Sequence, residues 1–510
     1  MQAGRLAGWR HRPAARAIPK RQRELSCYKR RVRFRWFVLL GLLAALSAAC
    51  PAHAAQDNDA VLVPVPVERA RALAPLLRTH DVALVESNPS GSFKQLTLLT
   101  LVAARPEVVR DVVLHAERYP DFIRNLSNTQ VSRNPDGSFD HAFQVTYGFV
   151  GFSSRNRFAA LPPPPPLSAA GTPSPEALGP EDVPSIELYD PNPAPYGNRH
   201  LRFDFYAAGG GTVLALYAYT NLPGTLDFVR RFLSVTPLFE HGIAITTALT
   251  FVFSIKARAE QLTGSPGVIL PAPGGASYEF LLDRGPVALF RSHGGRLVET
   301  SLITRSHASR EALLDAARQA GRWSDAVPII GRSVELLGPD DQPVIDLQLS
   351  LPLSSFHTRY ALRTLGYSVD FFGIAGDLLG SRLRWDILSS PRPEPPPVVD
   401  GSAAAATSAA PATHPNPTAA MAPPPASPQP TASLSPATAV QPPPATAGPP
   451  PASSKLILRG QQQLDRASLV LRQLYRIEPL MEYGVNLSLY LVLLQSVRGL
   501  AERSQPTATR

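Results

Sequence analysis

The sequence predicts an α+β fold: two tandem domains, each a curved antiparallel β-sheet wrapped around a long C-terminal helix. Three observations carry that expectation. First, Pro237-Leu238-Phe239-Glu240-His241-Gly242 returns as Pro479-Leu480-Met481-Glu482-Tyr483-Gly484, and Leu201-Arg202-Phe203-Asp204-Phe205 returns as Leu383-Arg384-Trp385-Asp386-Ile387. Second, residues 104–155 and 308–359 stay in register without a gap, matching Glu107 to Glu311, Asp111 to Asp315, Tyr119 to Trp323 and Arg155 to Arg359. A repeat of about 200 residues should be a domain with its own core, since solenoid units run to roughly 20–50. Third, apolar alternation at Phe143/Val145/Tyr147/Phe149 and at Leu201/Phe203/Phe205 marks strands with one buried face.

The elements of copy one follow in order. Val82–Glu86 and Phe93–Val102 flank a Pro89-Ser90-Gly91 turn and read as a hairpin. Pro106 and Glu107 open a short amphipathic helix with apolar positions Val108, Val109, Val112 and Val113. Tyr119-Pro120-Asp121-Phe122 restarts the chain as a second short helix. Strands are expected at Thr129–Ser132, Ala142–Phe149, Ser153–Ala159, Ser185–Tyr189, Arg199–Tyr206 and Thr212–Thr220. A helix from Thr225 to Glu260, broken near Pro237, closes the copy. It spans roughly 35 Å beyond the break at 1.5 Å per residue, and no other element is long enough to cover the sheet's apolar face.

The run Ala104-Arg105-Pro106-Glu107 through Tyr119-Pro120-Asp121-Phe122, together with the closing stretch from Pro237 to Lys256–Glu260, resembles the START-like (SRPBCC, helix-grip) superfamily. That group includes polyketide cyclases, coenzyme Q-binding proteins and lipid-transfer domains. The resemblance covers 75–261 and, through weaker motifs, 279–504. Copy two departs from it, with Arg310 in place of the proline and Trp323-Ser324-Asp325-Ala326 in place of Tyr-Pro-Asp-Phe. The resemblance implies two helix-grip domains and a hydrophobic or lipid-like ligand between sheet and closing helix. It implies no invariant catalytic set.

On that frame Phe143, Tyr147, Phe149, Phe203, Phe205, Leu238, Ile245, Leu249 and Val252 are the candidate pocket wall, although each serves equally well as plain core. Arg155 would meet a carboxylate or headgroup if inward and would only be solvated if outward. The second-copy equivalents are Leu347, Leu351, Arg359 and Trp385. Phe143, Tyr147 and Phe149 become Leu347, Leu351 and Leu353 there, so copy one, with its larger and stiffer aromatic area, is the expected binder.

The termini and inserts are read separately. Lys and Arg number 50 against 40 acids, a net charge of +10, but residues 1–36 hold twelve basic residues and one acid. The remainder is near neutral, which removes the charge argument for a nucleic-acid partner. Arg30–Arg35, the apolar run Trp36–Ala49 and Ala52-His53-Ala54 mark residues 1–54 as a basic leader and signal peptide, cleaved near Ala54. Export to a periplasm or cell envelope is the expectation. The apolar run falls short of the ~20 residues of a bilayer span; an uncleaved N-terminal anchor and acylation at Cys50 are the alternatives. Cys27 and Cys50 both precede the cut, so the mature chain is expected to hold no disulfide and no Cys-based zinc site.

A linker is expected at 262–278 and a tail at 505–510. A proline-rich insert, 161–184, interrupts copy one. A longer one, 391–453, holds 20 of the chain's 54 prolines and so cannot pack. It lies at a turn that copy one closes with Ala207–Gly211, where extra length is thermodynamically cheap. It reads as a solvated loop, with recruitment of an envelope protein the alternative.

No H-E-x-x-H, G-x-S-x-G or phosphate-cradling glycine loop is present. No catalytic residue, metal or cofactor is expected. Glu240 and His241 are adjacent on a helix and point about 100° apart, which suits a cap or salt link better than shared acid–base work. Arg202/Asp204 and Arg384/Asp386 read as exposed same-strand ion pairs. The expected function is an exported, non-catalytic carrier or sensor. The rivals are a polyketide cyclase/aromatase-like enzyme and a structural tandem whose proline-rich loop recruits a partner.

Overall fold

The computed structural model describes residues 62–88, 93–147, 150–160, 183–191, 199–220, 237–264, 278–293, 296–327, 329–351, 354–389, 454–461, 472 and 480–504. The leader, both proline-rich inserts, Phe149, Pro479 and the expected helical segment 225–236 lie outside the described residues.

Copy one is preceded by two short helices, α1 (Val67–Ala72) and α2 (Ala74–Leu77). It then runs β1 (Asp81–Ser87), β2 (Phe93–Val102), α3 (Pro106–Leu114), α4 (Tyr119–Phe122), β3 (Leu126–Arg133), β4 (Phe139–Tyr147), β5 (Val150–Ala160), β6 (Val183–Tyr189), β7 (Arg199–Ala208), β8 (Gly211–Thr220) and α5 (Pro237–Thr263). Copy two runs β9 (Val287–His293), β10 (Arg296–Ser306), α6 (Arg310–Arg318), β11 (Ile330–Leu337), β12 (Pro343–Leu351), β13 (Ser354–Leu365), β14 (Ser368–Gly376), β15 (Arg382–Ser389), β16 (Ser454–Gln461) and α7 (Met481–Ser504). An offset of 204 carries α3, β3 and β4 onto α6, β11 and β12 with identical bounds.

Local chemistry explains how copy two keeps the elements despite its altered motif. Pro106 starts α3 with its ring at the helix's first turn. In α6 the Ser309 side chain does that work, accepting a hydrogen bond from Ala312 N at 3.1 Å. Tyr119 is buried and donates to Val113 O at 2.6 Å; Trp323, at the same place, is buried and donates from Nε1 to Ala316 O at 3.1 Å. Each large ring plugs the space under its short helix and bonds a carbonyl near that helix's end.

The sixteen strands among the described residues form one antiparallel sheet, ordered β11-β12-β13-β14-β15-β16-β10-β9-β1-β2-β8-β7-β6-β5-β4-β3. The order reads alike from either edge. The copies join at β1–β9, through Asp81↔Phe290, Val82↔Leu289, Ala83↔Ala288 and Leu84↔Val287. Gly285 lets the seam close, because a Cβ there would strike the Val85 carbonyl.

Helices α5 and α7 lie side by side on one face, and one continuous core runs beneath both. Polar bonds pin the C-terminal half of α5 to the seam. Thr100 Oγ1 donates to Asp81 Oδ1 at 2.5 Å, Lys256 Nζ lies 3.2 Å from Thr100 Oγ1, and Glu260 accepts from Ala103 N at 3.0 Å. Burial pushes the Asp81 carboxyl up, with Lys256 acting against it. Helix α7 is apolar and long enough to cross a membrane by length and composition, but two thirds of the relevant window is buried here against sheet and α5.

The other face of the seam carries a second core, and this corrects one expectation. Residues 62–77 lie across it, with Val65 N donating to the Tyr217 hydroxyl at 3.0 Å and the Gln95 amide bonding both Val63 N and Val63 O. Beneath this cover Asp204 is fully buried, held by Arg202 Nε at 2.7 Å and the Tyr206 hydroxyl at 2.6 Å. Asp204 is therefore interior and Arg202 partly covered, not an exposed pair. Arg384 and Asp386 remain partly solvated.

Candidate functional site

The space between the copy-one sheet and α5 is built by strand parity. On β4, Phe139, His141, Phe143 and Val145 face the core; on β5, Asn156 and Phe158 do; on β7, Phe203 and Phe205 do. Phe143, Phe203, Phe205, Ile245, Leu249 and Val252 are all buried in that one core, a placement that suits wall and core alike. Tyr147 lies on β4 and Leu238 on α5, but their side chains, like all of Phe149, lie outside the described residues. In copy two Leu347 and Trp385 are buried, and the Leu351 side chain is outside the described residues.

Arg155 does not face inward. Since Asn156 and Phe158 take the inner face, Arg155 and Arg157 take the outer one, where both bind Asp140 at 2.6 and 2.7 Å. Arg157, then Arg155, holds the Asp140 carboxyl below the usual carboxylate range against the pull of burial. Arg359 is likewise outward, 3.5 Å from Asp346. Neither arginine is an interior headgroup ligand.

The interior polar groups are others. Strand register aligns His141 with Asn156. Next in the same row comes Asp190, whose N–H donates to Arg199 O at 3.1 Å. Arg199 Nη1 donates to Asn156 Oδ1 at 2.9 Å. His141 is 1% exposed, and neither ring nitrogen has a hydrogen-bond partner among the described residues. Its ring stacks on Phe143 at 4.7 Å and meets Tyr119 edge-on at 5.5 Å. Burial pushes its pKa down to about 4, so it is neutral at pH 7. An unsatisfied buried polar group costs about 1–3 kcal/mol.

Copy two fills the same row differently: Ile345 pairs with Tyr360, Tyr360 with Gly373, and Gly373 N donates to Ser381 O at 2.9 Å. Ser381 Oγ donates to Leu378 O at 2.6 Å and lies 3.3 Å from the Tyr360 hydroxyl. Burial holds Tyr360 protonated, its pKa pushed up to about 12. That row satisfies itself, and an isoleucine stands where copy one has His141.

The row was readable in part. His141 falls two residues before Phe143, on the parity that defines the buried face of β4, so alternation alone places it inside. Its link to Asp190 and Arg199 depends on pairings that no local pattern reveals.

A surface cleft of about 540 Å³ lies between α6 and α7, lined by Ser309, Asp315, Gln319, Leu500 and Ser504 among others. It is open and outside the sheet–helix space. The Ser309 hydroxyl oxygen accepts from Ala312 N, and the Ser504 hydroxyl donates to Leu500 O. Among the described residues no group of three or more His, Cys, Asp or Glu is placed to hold a metal ion.

Both halves show the element order expected of a START-like domain: a hairpin, short helices, a run of antiparallel strands and a long closing helix laid on the sheet. No protein-family model matches the sequence, and no curated protein matches it. Among solved structures, the chain is similar to the di-domain ARO/CYC BexL from the BE-7585A biosynthetic pathway, at 9% identity, covering 81% of this chain and 100% of that one, with a TM-score of 0.24. It is also similar to the di-domain ARO/CYC StfQ from the steffimycin pathway, at 12% identity over 80% of this chain and 99% of that one, TM-score 0.22. A START superfamily protein from Mycobacterium smegmatis matches at 12% identity over 41% of this chain and 99% of that one, TM-score 0.24. At these TM-scores the likenesses add nothing to the topology described above.

Proposed function

We propose that the chain is an exported, non-catalytic carrier or sensor that holds a hydrophobic or lipid-like molecule between the copy-one sheet and α5. Copy two, on this reading, is a filled partner that braces α5. The observation that carries it is the contrast within one row: His141 buried without a partner among the described residues in copy one, Ile345 in copy two. A sequence selected only for a packed core has no use for an imidazole that leaves two polar atoms unmet. Affinity would come from apolar burial at roughly 25 cal/mol per Å².

A cyclase or aromatase reading requires a proton-transfer group matched to neutral pH. A histidine with a pKa of about 4 is a weak base for that task. Native mass spectrometry of the purified full-length chain, followed by solvent extraction, tests the carrier reading. An apolar molecule should copurify and be lost in Ile245→Asp, with melting curves used to confirm that the variant is folded. Recovery of the wild type with no such molecule, from cells and after incubation with total lipid extract, would refute it.

Export is supported by the basic run, the apolar run and Ala52-His53-Ala54. N-terminal sequencing of secreted material should begin at or near Ala55. Material that retains an acylated Cys50, or the intact leader, would instead establish a lipoprotein or an anchored protein.

A further inference from the structure

We propose that His141, with Asn156 beside it, receives the hydroxyl group of an otherwise apolar guest: a phenol or alcohol, in preference to a free carboxylate or phosphate. The inference rests on copy one being the binding copy, and it names the chemistry that the inner end of that copy selects.

Among the described residues both imidazole nitrogens are buried without partners, while aromatic rings hold the ring plane in place. A neutral imidazole offers one N–H donor and one lone pair, whichever tautomer is present. A hydroxyl both donates and accepts, so it can meet either nitrogen. A carboxylate or ketone oxygen only accepts. The charge around the row argues the same way. Arg199 already donates to Asn156 and is opposed by neighbouring Asp190. Arg155 and Arg157 are turned outward onto Asp140. No uncommitted cation stands beside His141 among the described residues to hold an anion, and burial keeps His141 itself uncharged at neutral pH. The nitrogens are sealed from solvent, so a guest must displace side chains to reach them.

Three probes on one ring frame separate the possibilities: 2-naphthol, naphthalene and 2-naphthoate, titrated calorimetrically into the full-length chain at pH 7. The wild type should bind 2-naphthol about tenfold more tightly than the other two, the worth of one well-placed hydrogen bond. His141→Ile, which imports the copy-two residue, should abolish the preference, so that this variant binds 2-naphthol and naphthalene alike. His141→Gln, which keeps a donor and an acceptor, should retain part of the preference. Histidine ¹⁵N shifts should move on adding 2-naphthol and stay fixed with naphthalene. A preference for 2-naphthoate, or an unaltered 2-naphthol affinity in His141→Ile, would overturn the hydroxyl subsite while leaving hydrophobic binding intact. Failure of the wild type to take up any of the three would overturn the binding reading itself, and this inference with it.

Discussion

Phe253 of α5 and Tyr483 of α7 meet edge to face across the middle of the sheet, with 5.5 Å between ring centroids and 65° between planes. Tyr483 also packs on Phe290 of β9 at 5.4 Å. One side chain of copy two thus touches the closing helix of copy one and a seam strand. The repeat diverges here, since Tyr483 stands where copy one has His241. The ring that breaks the sequence symmetry ties the two closing helices together.

The shared core should unfold as one unit. Differential scanning calorimetry of the full chain is expected to give a single transition. Tyr483→Ala should lower stability by about 3 kcal/mol, a typical loss for truncating a buried aromatic. Two resolved transitions in the wild type would show that the halves are energetically independent.

The two Arg–Asp pairs should differ in weight. Asp204→Ala strips the partner from a covered Arg202 and from Tyr206, and should cost about 3 kcal/mol or more. Asp386→Ala acts on a partly solvated pair and should cost under about 1 kcal/mol. Urea denaturation of the two variants side by side measures this, and equal losses would contradict the cover over Asp204.

His141 sets an acid limb of stability. Its folded-state pKa of about 4 lies below the ordinary value near 6.5, so the unfolded chain takes up the proton first as pH falls. The contribution is fully present above about pH 6.5 and is lost progressively down to about pH 4, roughly 3 kcal/mol in all. The drop in urea midpoint between pH 7 and pH 4.5 should therefore be smaller in His141→Ile than in the wild type. An identical drop would mean that His141 is not neutral in the fold.

Gly460 on β16 lies against the Tyr490 hydroxyl of α7, and a Cβ there would overlap it. Gly460→Ala should destabilise by about 1–3 kcal/mol through overpacking. Adding Tyr490→Phe removes the oxygen and should recover part of that loss. A double variant no more stable than Gly460→Ala would place the strain elsewhere.

What the sequence made legible follows from what local pattern can encode. The gap-free register from 104 to 155 carried α3, β3 and β4 onto their counterparts, and alternation placed Phe143, Phe203 and Phe205 on the buried side. Arg155 needed only the parity of Phe158 to be turned outward, and His141 only that of Phe143 to be turned inward. The seam is another matter. Val82-Ala83-Leu84 announces a buried strand but cannot say that its second neighbour is Val287-Ala288-Leu289. The burial of Asp204 depends on residues 62–77, more than a hundred positions away, folding over it.

At the seam Ala83 faces Ala288, its own counterpart in the repeat, while Val82 faces Leu289 and Leu84 faces Val287. The contact is self-complementary, as in a twofold homodimer, although both strands belong to one polypeptide. A single copy would carry β1 as a bare apolar edge, a template for any matching strand. Joining two copies in one polypeptide makes that encounter intramolecular, at an effective concentration on the order of millimolar. The pairing thereby becomes independent of how dilute the protein is, and the edge is claimed before a stranger can reach it.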